Sequence, residues 1–142
     1  MLCEQIMNRN VKSLKEQDTA LTAAKVMRDA NVGFLPVIGG TGKVVGAVTD
    51  RDLVVRLAAD SGAMTTPVTN LMSRDLVTCN PRDDLHRAEQ LMQDHKKSRI
   101  VCVDDQGRAM GVISLSDIAQ HEDGSQLGKL VRSITSREFH KA

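Results

Sequence analysis

Two heptapeptides hold the residues best suited to chemistry: Gly46-Ala47-Val48-Thr49-Asp50-Arg51-Asp52 and Gly111-Val112-Ile113-Ser114-Leu115-Ser116-Asp117. Both read Gly, apolar, any, Thr or Ser, any, any, Asp. A strand that ends in a hydroxyl at the start of a helix offers its Oγ and unpaired backbone N–H groups to an anionic oxygen such as phosphate. The carboxylate one turn later falls on the same side and can accept two hydrogen bonds from a vicinal diol. A ribose carries that diol, so hydroxyl plus carboxylate points to a nucleotide. The same pairs, Thr49 with Asp52 and Ser114 with Asp117, also fit a capping box that serves only the helix's own N–H groups. The glycine three residues before the hydroxyl leaves room for a ligand or a strand to come close. Spacing leaves both readings open.

Other reactive side chains form no comparable pattern. Cys3, Cys79 and Cys102 make no CxxC, stand far apart in the chain and are odd in number, which argues against a disulfide framework and a zinc site. They read as reduced, small apolar residues. His86, His95, His121 and His140 share no ligand spacing and read as solvated, so no metal site is expected. Met7, Met27, Met64, Met72, Met92 and Met110 read mostly as core. No nucleophile, base and orienting group come together, and the chain is expected not to be an enzyme.

Composition narrows the partners. Nineteen basic and eighteen acidic residues leave a formal charge of +1, so no overall field draws nucleic acid or an acidic membrane. Phe34 and Phe139 are the only aromatic residues, too few for base stacking. No apolar run is long enough to cross a bilayer, and Met1 to Arg9 shows no signal-peptide pattern, so a soluble, cytoplasmic protein is expected.

The elements that must position the heptapeptides come in duplicate. A shift of 65 residues, from Asp52 to Asp117, aligns Ile6–Leu53 with Leu71–Ile118 without a gap. Identities fall at Met7/Met72, Arg9/Arg74, Asp18/Asp83, Ala23/Ala88, Met27/Met92, Asp29/Asp94, Gly42/Gly107, Gly46/Gly111 and Asp52/Asp117. Each copy predicts a short strand (Val11–Leu14, Leu76–Cys79), then a helix behind Asp18-Thr19 or Asp83. A hairpin of apolar, β-branched runs follows, turning at Gly39–Gly42 or Asp104–Gly107. A second helix is expected over Arg51–Ala59 and from Ser116 to about His121. Beyond Asp123-Gly124, Gln126, Leu127, Leu130, Val131 and Ile134 predict a closing helix, and Thr135–Ala142 a frayed polar tail. The expected fold is α/β (α+β): two β-α-β-β-α repeats packed as a pseudo-two-fold pair, with domains at 1–62 and 63–124 and a C-terminal helix and tail at 125–142. Ligand would lie in a cleft shared by the repeats.

With these residues in view, the chain resembles a tandem pair of cystathionine β-synthase (CBS) domains, the arrangement called a Bateman module. The likeness runs from Leu2 to about Glu122. Besides the two heptapeptides it rests on Ile6-Met7 and Leu71-Met72, Ala23/Met27 and Ala88/Met92, and Phe34-Leu35-Pro36-Val37 with Arg99-Ile100-Val101-Cys102. The resemblance implies a regulatory, signal-transducing module that binds an adenine nucleotide (AMP, ADP or ATP) as a ligand, with no cofactor in the catalytic sense. Some members take NAD or S-adenosylmethionine. It implies that Asp52 and Asp117 hold ribose hydroxyls, with Thr49 and Ser114 beside the ribose or phosphate. Backbone groups of Leu35, Pro36 and Val37, and of Arg99, Ile100 and Val101, with Ser13 and Thr78, would hold adenine. It implies a homodimer and a protein target acted on in trans. Arg51 and Arg99 are the candidates for phosphate, Lys97 a lesser one, because a guanidinium meets phosphate oxygens two at a time. With two such arginines, AMP is favoured. The competing reading is a dimerisation or docking protein with a vestigial cleft. Val101 in place of Pro36, and Leu115-Ser116 in place of Asp50-Arg51, set the two copies apart.

Overall fold

Phe34–Ile38 and Val44–Thr49 are the longest β-branched runs of the first copy, and in the computed structural model they pair as the antiparallel hairpin β2–β3. The structure describes residues 1–121 and 124–139. Gly42 takes φ +85° at the hairpin turn and Gly107 φ +81° at its counterpart, a backbone region open to glycine without strain. A two-residue strand, β1 (Leu14–Lys15), adds parallel to β2, giving the order β1-β2-β3. The second copy repeats this as β4 (Thr78–Cys79), β5 (Arg99–Val103) and β6 (Ala109–Ser114).

The first strands start later than expected, at Leu14 and Thr78. Their difference in register has a physical cause. Val101 N donates to Val77 O and opens the β4–β5 ladder at Thr78. The first-copy counterpart of Val101 is Pro36, which has no N–H to give. The β1–β2 ladder therefore begins one pair further on, at Leu14↔Val37.

Helix α1 (Ala20–Ala30) is capped by Thr19, whose side chain accepts from Thr22 N, and α3 (Leu85–His95) by Asp84, which accepts from His86 N. Asp83 was the expected counterpart; its carboxylate instead accepts from Asn80 N one turn earlier. After β3 the chain forms a turn of helix α2 (Asp50–Asp52) that widens into a π-helical stretch over Leu53–Ala58. After β6 comes α4 (Leu115–Ala119), and then α5 (Gly124–Phe139), which continues through the segment expected to fray. Glu122, Asp123 and the last residues of the tail, His140 included, lie outside the described residues.

The chain divides into two compact units that do not follow the repeats. One, the first-copy unit, holds Lys12–Leu76 with Gln106–Arg108; the other, the second-copy unit, holds Met1–Val11, Val77–Asp105 and Ala109–Ala142. Each copy's lead-in segment thus packs on the other copy's sheet. The first-copy core gathers Leu14, Ala23, Met27, Leu35, Val37, Val48, Val68 and Met72. The second-copy core gathers Met7, Leu85, Ala88, Met92, Ile100, Ile113 and Ile118 with Leu130 and Ile134 of α5. Met64 and Met110 are exposed, unlike the other four methionines singled out above. The three cysteines, far apart in sequence, meet inside the second-copy core.

Candidate functional site

Both heptapeptides occupy a strand end running into a helix. Thr49 and Ser114 are the last residues of β3 and β6 and the N-caps of α2 and α4. Asp52 N donates to Thr49 Oγ1 at 3.2 Å while Thr49 N donates to Asp52 Oδ2 at 2.8 Å. In the second copy Asp117 N donates to Ser114 Oγ at 3.1 Å and Ser114 N to Asp117 Oδ2 at 2.8 Å. The capping box is therefore realised in both copies. Each box engages only one carboxylate oxygen. The other oxygen of Asp52 lies 3.7 Å from Arg56 Nε; that of Asp117 accepts no hydrogen bond from the described residues.

The glycine of each motif serves a chain segment. A Cβ on Gly46 would stand 2.7 Å from Ser73 O and 2.8 Å from Met72 Sδ; one on Gly111 would stand 2.6 Å from Met7 Sδ and 3.0 Å from Met7 Cβ. Ala47 bridges Ser73, and Val112 bridges Asn8. The close approach is that of the lead-in segment, which resolves the alternative left open by spacing at this position.

Strand pairing brings the other candidates to the same places. Phe34 is the register partner of Thr49, and Arg99 that of Ser114. Because Val101 N points toward β4, backbone alternation puts Arg99 N–H and C=O on that same edge, beyond the last residue β4 pairs. It also makes Arg99↔Ser114 a pair without direct backbone hydrogen bonds, the type with the closest side chains. The exposed Arg99 guanidinium donates to Ser98 Oγ at 3.1 Å. Leu35, Val37, Ile100 and Val101 side chains are fully buried, and Pro36 is buried, so only backbone groups there could meet a ligand. Ser13 and Thr78 are exposed at the first strands, and Arg51 is exposed on α2 with no ion pair among the described residues. The candidates divide between the two units: Ser13, Leu35–Val37, Thr49, Arg51 and Asp52 in one, and Thr78, Arg99–Val101, Ser114 and Asp117 in the other.

Beside Asp52 stands a residue with no place among the expected site residues. Arg56 joins Asp52 to the lead-in segment, with Nη1 donating to Leu71 O and Met72 O at 3.3 Å each. The i, i+4 spacing from Asp52 was its legible signal. The lesser candidate Lys97 is half-buried just past α3, with its N–H donating to Met92 O. Arg9 Nη2 donates to Glu4 O at 3.1 Å, tying down its own segment. Among the described residues no set of three His, Cys, Asp or Glu side chains is arranged to hold a metal ion, and no helix is long and apolar enough to cross a membrane.

Known proteins share the duplicated fold. The CBS domain-containing protein YhcV of Bacillus subtilis is 33% identical over 135 residues, covering 94% of this chain and 95% of its own. The crystal structure of the CBS domain protein TA0289 of Thermoplasma acidophilum superposes with a TM-score of 0.82 at 23% identity, covering 94% of this chain and 75% of that one. The CBS domain pair of protein MJ0100, solved in complex with 5′-methylthioadenosine and S-adenosyl-L-methionine, superposes with a TM-score of 0.76 at 23% identity, over 84% of this chain and 94% of that one. The CBS domain family itself matches twice, over residues 3–59 and 68–124. Duplicated three-stranded sheets, duplicated helix-start boxes and a double family match lead to one identification: the chain belongs to the CBS domain family and carries a pair of these domains.

Proposed function

We propose that this pair senses an adenosyl compound, with AMP favoured over ADP, ATP, NAD and S-adenosylmethionine, and acts without catalysis on a separate protein in the cytoplasm. The observation that carries the reading is the half-used carboxylate. Asp117 spends one oxygen on the Ser114 N–H and keeps the other for a ribose hydroxyl. Asp52 does the same, with its second oxygen near Arg56. Beside each box one edge of the strand runs on past its short parallel partner, at Arg99 beyond the β4–β5 pairs and at Phe34–Pro36 beyond the β1–β2 pairs, suited to the donor and acceptor edge of adenine. Arg99 and Arg51 supply one guanidinium to each set, enough for a single phosphate. The adenosyl ligands held by the MJ0100 pair support the class.

A panel of AMP, ADP, ATP, NAD, S-adenosylmethionine and GTP, read by thermal unfolding, tests this. At about 100 times Kd a true ligand adds about 2.7 kcal/mol and should raise Tm by several degrees. A rise with an adenosyl ligand and none with GTP is expected; a flat panel sinks the reading. A second role, dimerisation, rests on exposed apolar side chains of the first-copy unit, with Val54 63% and Val55 46% accessible and Leu21 and Met64 both 43%. Light scattering on the same samples should give twice the chain mass.

A further inference from the structure

The second-copy unit buries three thiols against one another. Cys79 Sγ lies 3.5 Å from Cys102 Sγ and 3.8 Å from Cys3 Sγ, and all three cysteines are free and buried. Cys79 and Cys102 are register partners on β4 and β5. Cys3 is brought to them by the short 3-10 turn Cys3–Gln5, with Cys3 N bonded to Asp83 O and Glu4 N to Pro81 O. The ligand reading uses none of these groups. Hydrogen bonds from Cys102 and Cys79 hold the Cys3 thiol far below its ordinary range, at about 4, against burial and the nearby Asp83 and Asp84 charges. Cys102 is pushed up to about 12, chiefly through its contact with Cys3, and Cys79 is pushed up as well, first through Cys102 and then through Cys3. The contacts among the three sulfurs thus favour negative charge on Cys3 over Cys79 and Cys102.

A cavity of about 260 Å³ has Glu4, Asn80, Pro81, Arg82, Asp105 and Met110 among its walls. Glu4 and Asn80 are the chain neighbours of Cys3 and Cys79, which themselves stay buried behind the cavity wall.

We propose that the trio is a peroxide-responsive redox site in which Cys3 is oxidised and Cys79 closes a disulfide onto it, stapling the segment Met1–Val11 to β4. The Cys3 thiolate attacks one oxygen of hydrogen peroxide; the O–O bond breaks, leaving Cys3 as a sulfenic acid and releasing hydroxide. The Cys79 sulfur then attacks the Cys3 sulfur, the S–O bond breaks, and the departing hydroxide leaves with the Cys79 proton as water. In sum two sulfurs give up two electrons, and one peroxide becomes water and hydroxide. Bond formation draws the sulfurs together from 3.8 Å to about 2 Å. A small-molecule thiol reverses it by exchange.

The full chain, reduced and then given a slight excess of hydrogen peroxide, should fall from three titratable thiols to one. Non-reducing peptide mapping should find Cys3 joined to Cys79, and dithiothreitol should restore all three thiols. Cys3→Ala should keep both of its remaining thiols at the same peroxide dose. Three thiols surviving in the unaltered protein, or any link other than Cys3 to Cys79, overturns the proposal. Should Cys3→Ala fail to fold by circular dichroism, the thiol count and mapping on the unaltered chain decide.

Discussion

In the first-copy unit the helix-start carboxylate Asp52 is braced by Arg56, which also donates to the carbonyls of Leu71 and Met72. In the second-copy unit the residue one turn beyond Asp117 is His121, exposed and without an ion pair among the described residues, and Asp117 keeps its second oxygen to itself. Opposite the hydroxyl stands Phe34 in one unit and Arg99 in the other. The backbone device has been duplicated while its electrostatic surroundings have diverged. Equal backbone geometry therefore sits in unequal surroundings: the second copy has a freer carboxylate with Arg99 across from its hydroxyl, the first a braced carboxylate with Phe34 there and the exposed Arg51 on α2.

The largest effects should come from the glycines, where the two units differ in what resists a methyl group. At Gly46 the nearest obstacle is a backbone oxygen, Ser73 O at 2.7 Å, held in the bridge to Ala47; at Gly111 it is mostly the Met7 side chain. Backbone yields less readily than a thioether. Gly46→Ala should cost about 3 kcal/mol and Gly111→Ala about 1–2 kcal/mol, in the range of overpacked cores. Urea unfolding of both variants checks the order. Equal losses would mean that the lead-in segments are held with equal rigidity and would erase this part of the contrast.

Next come the carboxylates. Asp117→Ala should weaken an adenosyl ligand by roughly 2 kcal/mol, about 30-fold, for loss of a charged hydrogen-bond partner, and should cost about 1 kcal/mol of stability for loss of the box. Asp52→Ala should cost more stability than Asp117→Ala, because it also strips Arg56 of its partner, while the pair's half-exposed position keeps the excess below about 1 kcal/mol. Titration calorimetry and unfolding on both variants separate the two roles. Stability losses without any change in affinity would assign the carboxylates to capping alone.

The hairpins, the first helices and the two boxes were legible because each depends on local chemistry: β-branched runs, hydroxyl and carboxylate caps, a glycine able to turn. Repetition then supplied a long-range constraint that a single copy lacks. What stayed hidden depends on contacts distant in the chain. The trade of lead-in segments between the units, Met7 on Gly111 and Met72 on Gly46, leaves no periodic mark. The cysteine cluster is hidden for the same reason, since Cys3 reaches Cys79 only through that trade. The wider turns after Asp52 and the persistence of α5 through Thr135–Phe139 were also missed. In α5 the packing of Leu130 and Ile134 into the core sustains a helix whose polar end suggested fraying.

The smallest effect concerns the caps of the first helices, where the units differ in one titratable group. Thr19 caps α1 with a hydroxyl that keeps its hydrogen-bonding form at any accessible pH. Asp84 caps α3 with a carboxylate that accepts from His86 N at 2.9 Å, and that bond holds its pKa below the ordinary value. A carboxyl lowered in the folded state contributes stability that is complete above its unfolded pKa, about 4, and fades as pH falls through the folded value. Wild-type protein should therefore lose the α3 cap on acidification below about pH 4 and retain the α1 cap. Asp84→Ser replaces the carboxylate with a cap that does not titrate, so its urea midpoint should fall less than that of the wild type between pH 5 and pH 3. An equal fall in both would mean that Asp84 is no more stabilised as an anion in the folded chain than in the unfolded one, and the two caps would then be equivalent.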